Sequence, residues 1–440
     1  MIQSTTVSVV TNMPKPTVSK SPPSRLIILL DGTWQTDAGD QPPTNIVRLR
    51  DLILPKAETN GKEIIQHVFY DSGVGTGGST TKRSFDGATG NGLEDIVRGA
   101  YRQICYRYTE GMEIYVFGFS RGAFSARSLV GYINAAGLLK AEHCSTQQEK
   151  KTWEFYRKAR RYRIPAEKLA MNELCWKDTP RITCLGVFDT VGARGIPSSL
   201  LRNANAARYG FHDTMLSSIV DHAFHALALD EQRRHFVATL WSYAFHHNNK
   251  GIEQVWFPGC HSDVGGGVDG EGLSSLPLYW MIRRMADNNL GLVLDQKGVV
   301  KIKAMRDAFS AQKGDRGLIY TALAMPPSHR TVNQSRRLED DNFAFKGLAR
   351  HLRPMREAVH WSVFSRMNTR DDYRPHNICY QTFWESVYMD DTPTDTDVVG
   401  RDERFLNWWD KAADYKAMTE VLPREKLAEF HALTQKYAPK

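Results

Sequence analysis

The stretch EIYVFGFSRGAFSARSLV, residues 113–130, is the part of the sequence that most clearly indicates the fold. Residues 114–117 are a short apolar run, typical of a strand buried on both faces. From residue 123 to 139 small residues predominate, with apolar side chains spaced as in a helix. Between them, residues 118–122 (GFSRG) have the G-x-S-x-G pattern of a tight strand-to-helix turn, which would project the Ser120 hydroxyl from the sheet. The alternative is an ordinary serine between two glycines.

Apolar runs elsewhere in the chain follow the same order of strand, then helix. Strands are predicted at residues 26–30, 67–70, 182–188 and 255–257, and helices at residues 93–108 and 216–229. Strands that alternate with helices form parallel sheets whose two faces are covered by those helices. We therefore predict an α/β fold with a mostly parallel sheet flanked by helices.

The composition changes along the chain and predicts three parts. Residues 1–24 are rich in Ser, Thr, Val and Pro and have no apolar core, which is typical of a flexible tail. Residues 25–275 contain the predicted strands, with a basic helical insertion near residues 145–178. Beyond them the pattern is mostly helical, and we expect residues 276–440 to form a mainly helical region packed on the sheet domain.

Composition also narrows the class of protein and its location. The chain has 440 residues, 41% of them hydrophobic, and no apolar stretch reaches the about 18 residues that cross a bilayer. The N-terminus lacks the apolar core of a secretory signal, so we expect a cytoplasmic location. The six cysteines are scattered without a C-x-x-C pair, which indicates neither a disulfide framework nor a zinc site.

Polar side chains follow the predicted strands, at the edge where parallel sheets carry their sites. Asp189 follows the strand at residues 182–188, and His261 follows the strand at residues 255–257. A serine hydroxyl becomes a good nucleophile only when a base removes its proton and a third group orients that base. The order Ser, carboxylate, His along the chain is that of α/β hydrolases. We therefore predict Ser120 as the nucleophile, Asp189 as the orienting carboxylate and His261 as the base.

Other residues could take these roles. His360 and the histidine pair at 246–247 are rival bases, and Asp263 is a rival to Asp189. Asp189 also fits a simple turn cap. His261 also fits a structural imidazole bonded to Asp263, two residues further along the chain.

The negative oxygen that develops during acyl transfer needs backbone donors beside the nucleophile. We expect the N–H of Arg121, the residue directly after Ser120, to be one donor of this oxyanion hole. The second should come from the loop after an earlier strand, which indicates Gly32 or Thr33 in the sequence DGTW. A simple turn explains DGTW equally well.

A second glycine-rich segment, residues 73–78 (GVGTGG), contains the G-x-G-x-x-G pattern of dinucleotide-binding loops. No helix pattern begins directly after it, so a pyrophosphate would lack the helix N-terminus that binds it. We interpret the segment as a flexible loop near the active site, and we expect neither a cofactor nor a bound metal.

Several motifs together resemble one known family. They are LDGTW (30–34), GFSRGAFSAR (118–127), VFDTVGA (187–193), PGCHSDVGGG (258–267) and VHWSVFSR (359–366). The sequence is similar to the α/β-hydrolase family typified by type VI secretion phospholipase effectors, many of whose members are known only as a domain of unknown function. The resemblance implies an α/β-hydrolase-like fold, a triad of Ser120, Asp189 and His261, and hydrolysis of phospholipid or other acyl esters.

These observations lead to one hypothesis and two alternatives. We predict a serine hydrolase that cleaves carboxylic esters of small molecules or lipids through an acyl-serine intermediate. The first alternative is metal-assisted phosphoester hydrolysis, with Asp31, Asp71, His261 and Asp263 as ligands of a hard cation. The second is a non-catalytic lipid- or partner-binding module. We expect no nucleic-acid partner, and the sequence leaves the oligomeric state open.

The net charge of +8 is concentrated in residues 150–168 (KKTWEFYRKARRYRIPAEK), where eight Lys or Arg stand against two Glu. This composition fits a solvated helix whose Trp153, Phe155 and Tyr156 pack inward. It also fits a surface in peripheral contact with an anionic membrane. Because the segment follows the helix after Ser120, we predict a lid over the pocket that helps to select acidic or amphiphilic substrates.

Overall fold

The computed structural model describes the predicted sheet and the segments around it. The described residues are 24–32, 42–59, 61–73, 91–158, 162–191, 216–233, 236–241, 249–312, 330, 357–363, 366, 370, 372–373, 375, 377 and 387–388. The predicted tail at residues 1–24 lies outside them, apart from Ser24, with which the first strand begins.

Strands and helices alternate through most of this part of the chain. The strands are β1 (Ser24–Leu30), β2 (Lys56–Thr59), β3 (Lys62–Asp71), β4 (Glu113–Phe119), β5 (Ile182–Phe188), β6 (Val220–Ala228), β7 (Gly251–Phe257), β8 (Glu357–His360) and β9 (Val387–Tyr388). The helices are α1 (Asn45–Leu52), α2 (Asn91–Arg107), α3 (Arg121–Ala136), α4 (Thr146–Arg157), α5 (Pro165–Asn172), α6 (His261–Gly265), α7 (Gly272–Asp287) and α8 (Gln296–Met305). None of these described helices is both long and apolar enough to cross a membrane.

The strands form one sheet in the order β2-β3-β1-β4-β5-β6-β7-β8-β9. Neighbouring strands are parallel, except for β2, which is antiparallel to β3. Helices lie on both faces of the sheet. The predicted α/β-hydrolase-like fold, a mostly parallel sheet flanked by helices, is confirmed.

Strand β1 explains why the central strands are continuous apolar runs. Leu26, Ile28 and Leu30 belong to a core formed with α2, α3 and α4, whereas Ile27 and Leu29 belong to a second core formed with α1, α7 and α8. All five side chains are completely buried. Because successive side chains of a strand point to opposite faces, a strand covered on both faces needs apolar residues at every position.

The helix predicted at residues 216–229 is wrong, because most of this segment forms β6 between β5 and β7. Every residue of β6 is buried. A short apolar run that is buried on all sides fits a helix as well as a strand, so periodicity alone does not separate the two. Strands β3 and β7 were predicted correctly but begin earlier than expected, at Lys62 and Gly251.

The chain beyond residue 275 contributes to the same sheet. Strand β8 pairs with β7, and β9 pairs with β8, both in parallel. Helix α7 spans the predicted boundary between residues 275 and 276 and packs into the second core. The described residues from 276 onward thus include two short strands besides α7 and α8. Most of residues 313–440 lie outside the described residues, and the mainly helical region stays a prediction.

The aromatic residues of the basic segment pack into the protein core. Trp153 and Tyr156 of α4 each contact Tyr132 of α3, with ring centroids 5.2 Å apart in both pairs. Tyr132 lies about three turns, or about 18 Å, beyond Ser120 along α3. The aromatic side chains of this part of the segment are buried, as the inward-packing interpretation expected. At the other end of α4, Arg157 lies 3.7 Å from Glu94 in the first turn of α2, and the lid stays a prediction.

A buried carboxylate joins the helices on this side of the sheet. Glu149 of α4 is completely buried, and Arg98 of α2 donates to it from Nε at 3.0 Å and from Nη2 at 2.6 Å. Arg102 adds a longer contact at 3.4 Å. Tyr132 of α3 donates its hydroxyl to the Glu149 carbonyl at 3.2 Å. Because a buried charge without its partner is costly, these contacts should contribute strongly to the packing of α2, α3 and α4.

Replacement of Arg98 by Met should lower the free energy of unfolding by about 3 kcal/mol, because Glu149 would remain buried without its main counter-ion. Arg107→Met, at the exposed end of the same helix, should change it by less than about 0.5 kcal/mol. Urea unfolding followed by circular dichroism measures both values. Equal effects of the two substitutions would contradict the role given to the ion pair.

Candidate active site

Three parallel strands bring polar side chains to the same edge of the sheet. Strand β4 leads directly into Ser120, and β5 leads directly into Asp189. A short loop connects β7 to His261, the first residue of α6. Because β4, β5, β6 and β7 are consecutive parallel neighbours, their carboxyl ends lie side by side.

Ser120 lies in a strained turn between β4 and α3. Its backbone has φ 58° and ψ −120°, a conformation that residues other than glycine rarely adopt. Its N–H donates to the Phe188 carbonyl at 3.0 Å. A Cβ on Gly118 would lie 2.5 Å from the Gly122 carbonyl oxygen, and a Cβ on Gly122 would collide with the Leu30 carbonyl oxygen. Both glycines of the G-x-S-x-G pattern are therefore required by the close approach of the turn to its neighbours.

The glycine-rich segment after β7 fixes the position of His261. Cys260 caps α6, and its N–H donates to the Asp263 carboxylate at 2.9 Å. Gly259 has φ 109°, which a residue with a side chain would adopt only with strain. The His261 ring packs against Phe119, with centroids 4.7 Å apart. The loop thus directs the imidazole toward the end of β4.

The three predicted residues are in continuous hydrogen-bond contact. His261 Nε2 lies 2.8 Å from Ser120 Oγ, and His261 Nδ1 lies 2.6 Å from Asp189 Oδ2. Asp189 is completely buried, whereas Ser120 and His261 retain 8% and 5% of their surface. This is the geometry in which an imidazole can take a proton from the hydroxyl while the carboxylate stabilises its charged form.

The rival residues are held by other groups. His360 of β8 is buried, and its Nδ1 lies 2.6 Å from Ser362 Oγ. Asp263 accepts the N–H of Cys260, as described above. The histidine pair at 246–247 lies outside the described residues. Among the described residues, the imidazole that contacts Ser120 is therefore that of His261, and the carboxylate that contacts this imidazole is that of Asp189.

Asp189 accepts four hydrogen bonds, two on each oxygen. Oδ1 accepts from Ala228 N at 2.9 Å and Arg330 Nη1 at 2.5 Å. Oδ2 accepts from Arg330 Nη2 at 3.0 Å and His261 Nδ1 at 2.6 Å. Burial by itself raises the pKa of Asp189, but the Arg330 charge and the His261 contact outweigh burial and hold this pKa well below its usual range. Asp189 is therefore ionised at neutral pH and favours the His261 tautomer that carries its proton on Nδ1.

A second buried ion pair, which the sequence analysis missed, supports His261 from the loop after β6. Glu231 is almost completely buried and accepts from the His261 N–H at 3.3 Å. Arg233 donates to Glu231 from Nε and Nη2, both at 2.9 Å. The Arg233 guanidinium lies 3.5 Å from the centroid of the Phe236 ring, which in turn packs edge-on against His261 at 5.1 Å.

The signal for this ion pair was present in the sequence. Glu231 and Arg233 come shortly after the end of β6, at the same edge where the other polar residues were found. Because residues 216–229 were predicted to be a helix, no strand end was expected there. Arg330 is different, because no predicted strand or motif lies beside it.

The same loop contains a second buried carboxylate, that of Asp230. It accepts the N–H of Gly259 at 2.6 Å and the hydroxyl of Tyr373 at 2.9 Å, and Gln312 also donates to it. Burial raises the pKa of Asp230 to about 6, although the bonds from Gly259 and Tyr373 act in the opposite direction. Asp230 thus links the loop before His261 to residues of the C-terminal region.

Two of the three expected oxyanion donors, Arg121 and Gly32, lie among the described residues. Arg121 is the first residue of α3, and burial lowers the pKa of its side chain to about 10. Gly32 adjoins the nucleophile, because a Cβ placed on it would lie 3.5 Å from Ser120 Cβ. The Gly32 N–H donates to its neighbour Asp31 at 2.7 Å. Thr33 lies outside the described residues, so the choice between Gly32 and Thr33 stays a prediction.

The residues that were predicted as alternative ligands of a metal ion form hydrogen bonds with other protein groups. Asp31 accepts from Thr44 Oγ1 at 2.6 Å and Tyr70 OH at 3.0 Å, and Asp71 accepts from Gly73 N at 2.9 Å. In the described part of the chain, no three His, Cys, Asp or Glu residues are grouped so that they could hold a metal ion. The glycine-rich loop at 73–78 lies outside the described residues beyond its first glycine.

Residues 24–284 match the family described as T6SS, phospholipase effector Tle1-like, catalytic domain. The chain belongs to this family. The matched range contains strands β1 to β7 and all three side chains of the hydrogen-bonded chain at the strand ends. The family expected from the motifs is thereby confirmed.

Individual relatives match this chain over only part of their length. YEL023C of Saccharomyces cerevisiae, an uncharacterized protein, is 31% identical over 242 residues, covering 50% of this chain and 33% of that protein. A Tle1 effector bound to the VgrG spike of the type 6 secretion system is 19% identical, with a TM-score of 0.35, covering 61% of this chain and 56% of that one. An uncharacterized protein from Pseudomonas aeruginosa is 18% identical, with a TM-score of 0.35, covering 69% and 51%. The chain therefore spans about a third to about half the length of these relatives.

Gly122→Ala should lower the free energy of unfolding by about 1–3 kcal/mol, because the new methyl group would collide with the Leu30 carbonyl. Gly99→Ala is the matched control, since a Cβ on this glycine of α2 would meet nothing within 4 Å. It should raise the free energy of unfolding by up to about 1 kcal/mol. Denaturant titration measures both, and effects of the same sign would argue against the close approach at Gly122.

Asp230→Asn should change how stability depends on pH. The pKa of Asp230 is raised to about 6 in the folded protein, so folding favours its protonated form. Wild-type stability should therefore fall, relative to the Asn variant, as pH rises from about 4 to about 6.5, by about 2–3 kcal/mol in total. Urea unfolding of both proteins across this range tests the expectation. A constant difference between them would contradict it.

Proposed function

We propose that this protein is a serine hydrolase that cleaves carboxylic esters through an acyl-Ser120 intermediate. The observation that carries the proposal is the hydrogen-bonded chain from Ser120 Oγ through His261 to Asp189, with contacts of 2.8 and 2.6 Å. The strained backbone of Ser120 supports it, because strain of this kind persists where the surrounding structure holds a side chain for function.

In the proposed reaction, Ser120 Oγ attacks the ester carbonyl while His261 Nε2 takes its proton. The tetrahedral oxyanion accepts the N–H of Arg121 and a second N–H from Gly32 or Thr33. As the C–O bond to the alcohol breaks, the imidazolium returns the proton to the leaving oxygen. A water molecule, deprotonated by the same imidazole, then hydrolyses the acyl-enzyme and restores the serine hydroxyl. Asp189 stays ionised throughout and stabilises each imidazolium.

The substrate class follows from the family and not from the site alone. The matched family is that of phospholipase effector Tle1-like catalytic domains, so we infer that acyl esters of phospholipids are substrates. The exposed lysines of α4, Lys150 and Lys151, lie on the outer face of the core layer described above. Contact of this basic face with an anionic membrane stays a prediction.

Ser120→Ala should reduce kcat by about 10⁴-fold or more and abolish labelling by a fluorophosphonate. The matched control is Ser125→Ala on the same helix. Ser125 is completely buried, and within the described structure its hydroxyl has no hydrogen-bond partner, so the loss of this group should leave activity unchanged. Both variants are assayed on a panel of p-nitrophenyl esters and phospholipid vesicles, with circular dichroism to verify folding.

Full labelling or turnover by the Ser120→Ala protein would refute the proposed nucleophile. Vesicle binding by the wild type without hydrolysis of any ester in the panel would instead favour the non-catalytic alternative. Activity that resists the fluorophosphonate but is lost on treatment with a chelator would favour metal-assisted hydrolysis.

A further inference from the structure

We propose that Arg330 is a positioning residue of the active site, which holds the Asp189 carboxylate in place behind His261 and balances its charge. The inference rests on the proposed function, because it assigns a role within that catalytic arrangement. Arg330 touches neither the reacting serine nor the imidazole. It would act through Asp189 alone.

The hydrogen bonds of Arg330 use its whole guanidinium group. Nη1 donates to Asp189 Oδ1 at 2.5 Å and to the Ala228 carbonyl at 2.8 Å. Nη2 donates to Asp189 Oδ2 at 3.0 Å and to the Phe236 carbonyl at 2.6 Å, which also accepts from Nε at 3.1 Å. All five N–H donors of the side chain are thus used, and the planar fork spans both oxygens of the carboxylate. Lysine, with one charged nitrogen, cannot reproduce this arrangement.

Burial strengthens the electrostatic interaction between Arg330 and Asp189. Asp189 is completely buried and Arg330 retains only 6% of its surface, so water screens their interaction little. A buried carboxylate without a counter-ion would be strongly destabilised and would favour its neutral form. The neutral form could not stabilise an imidazolium. Arg330 therefore maintains the charge on which the orienting role of Asp189 depends.

The other titratable groups around the pair do not replace this charge. Glu231 faces the His261 N–H but is balanced by Arg233 in an ion pair of its own. On β6, His225 accepts the N–H of Thr190, and burial lowers the pKa of His225 to about 3, so it is neutral at neutral pH. Among the described residues, Arg330 is the cation that contacts Asp189 directly.

Arg330 also lies outside the matched catalytic range. That range ends at residue 284, and Arg330 is separated from Asp189 by 141 positions in the sequence. The position of the catalytic carboxylate is therefore determined in part by the region that follows. No substrate contact is needed for this role, since the fork fixes the carboxylate before any ester binds.

Loss of Arg330 should shift the pH profile in a definite direction. Without the guanidinium, the buried carboxyl of Asp189 would protonate more readily, because Arg330 is the main cause that lowers its pKa. The ionised carboxylate that orients His261 would therefore be lost at higher pH than in the wild type. The acid limb of kcat/KM should therefore move upward, by about one pH unit or more.

The test compares Arg330→Gln and Arg330→Lys with the wild type, using a p-nitrophenyl ester and a fluorophosphonate titration that counts reactive sites. Per titrated site, the Gln variant should lose about 10- to 100-fold in kcat. This is the loss found in metal enzymes when the residue that orients a ligand is replaced, and Arg330 orients Asp189 in a similar way. The Lys variant should keep the acid limb near its wild-type position, since it retains the charge, but should remain slow because the fork is lost. Arg370→Gln is the control, because Arg370 forms an exposed ion pair with Asp372 and should affect neither readout.

A Gln variant with wild-type kcat and acid limb per titrated site would overturn the proposal. If the Gln variant does not fold, the Lys variant decides, and wild-type kcat in that protein would overturn it equally. In an Asp189→Asn background, Arg330→Gln should add little to the loss, whereas an additive effect would show that Arg330 acts elsewhere.

One measurement does not depend on activity. The low-field ¹H resonance of the His261 Nδ1 proton should shift in both Arg330 variants and stay unchanged in Arg370→Gln. If wild-type protein neither hydrolyses esters nor reacts with the fluorophosphonate, the proposed function fails, while this resonance still tests the link from Arg330 to the imidazole. An unchanged resonance in an active enzyme would count against the positioning role alone.

Discussion

The hydrogen bond that His261 donates to Asp189 connects the ends of two strands that are not neighbours, and the arrangement of the site depends on it. The carboxylate follows β5 and the imidazole follows β7, with β6 between them. The end of β6 contributes to the bond, because Ala228 donates its N–H to Asp189 at 2.9 Å. Three consecutive parallel strands must therefore keep their register for the imidazole to reach Ser120. Strand β6 is buried along its whole length, because β5 and β7 flank it and both of its faces pack into the cores.

Local sequence patterns were sufficient for the parts of the site that follow recognisable strands. Ser120, Asp189 and His261 each come at or shortly after the end of an apolar run, and parallel strands bring such ends together. The same rule would have indicated Glu231, but the run before it was interpreted as a helix. A fully buried strand has no polar alternation that separates it from a buried helix. The error in the fold and the gap in the predicted site therefore have one cause.

Arg330 could not have been predicted in this way. The sequence contains 57 Lys and Arg residues, and nothing adjacent in the chain distinguishes this one. Its partners, the Asp189 carboxylate and the carbonyls of Ala228 and Phe236, are assembled only by the fold.

The buried polar groups at the strand ends connect the two halves of the chain. Asp230 is bonded by Tyr373 and Gln312, and Asp189 is bonded by Arg330, all of which lie beyond residue 284. If that region were absent, two buried carboxylates would lose much of their hydrogen bonding, and Asp189 would lose its counter-ion, which is among the costliest changes in a protein interior. A catalytic domain that ended at residue 284 would therefore carry unsatisfied charge directly behind His261. Gln312, Arg330 and Tyr373 therefore complete the hydrogen bonding of two carboxylates whose own strands lie in the matched catalytic range.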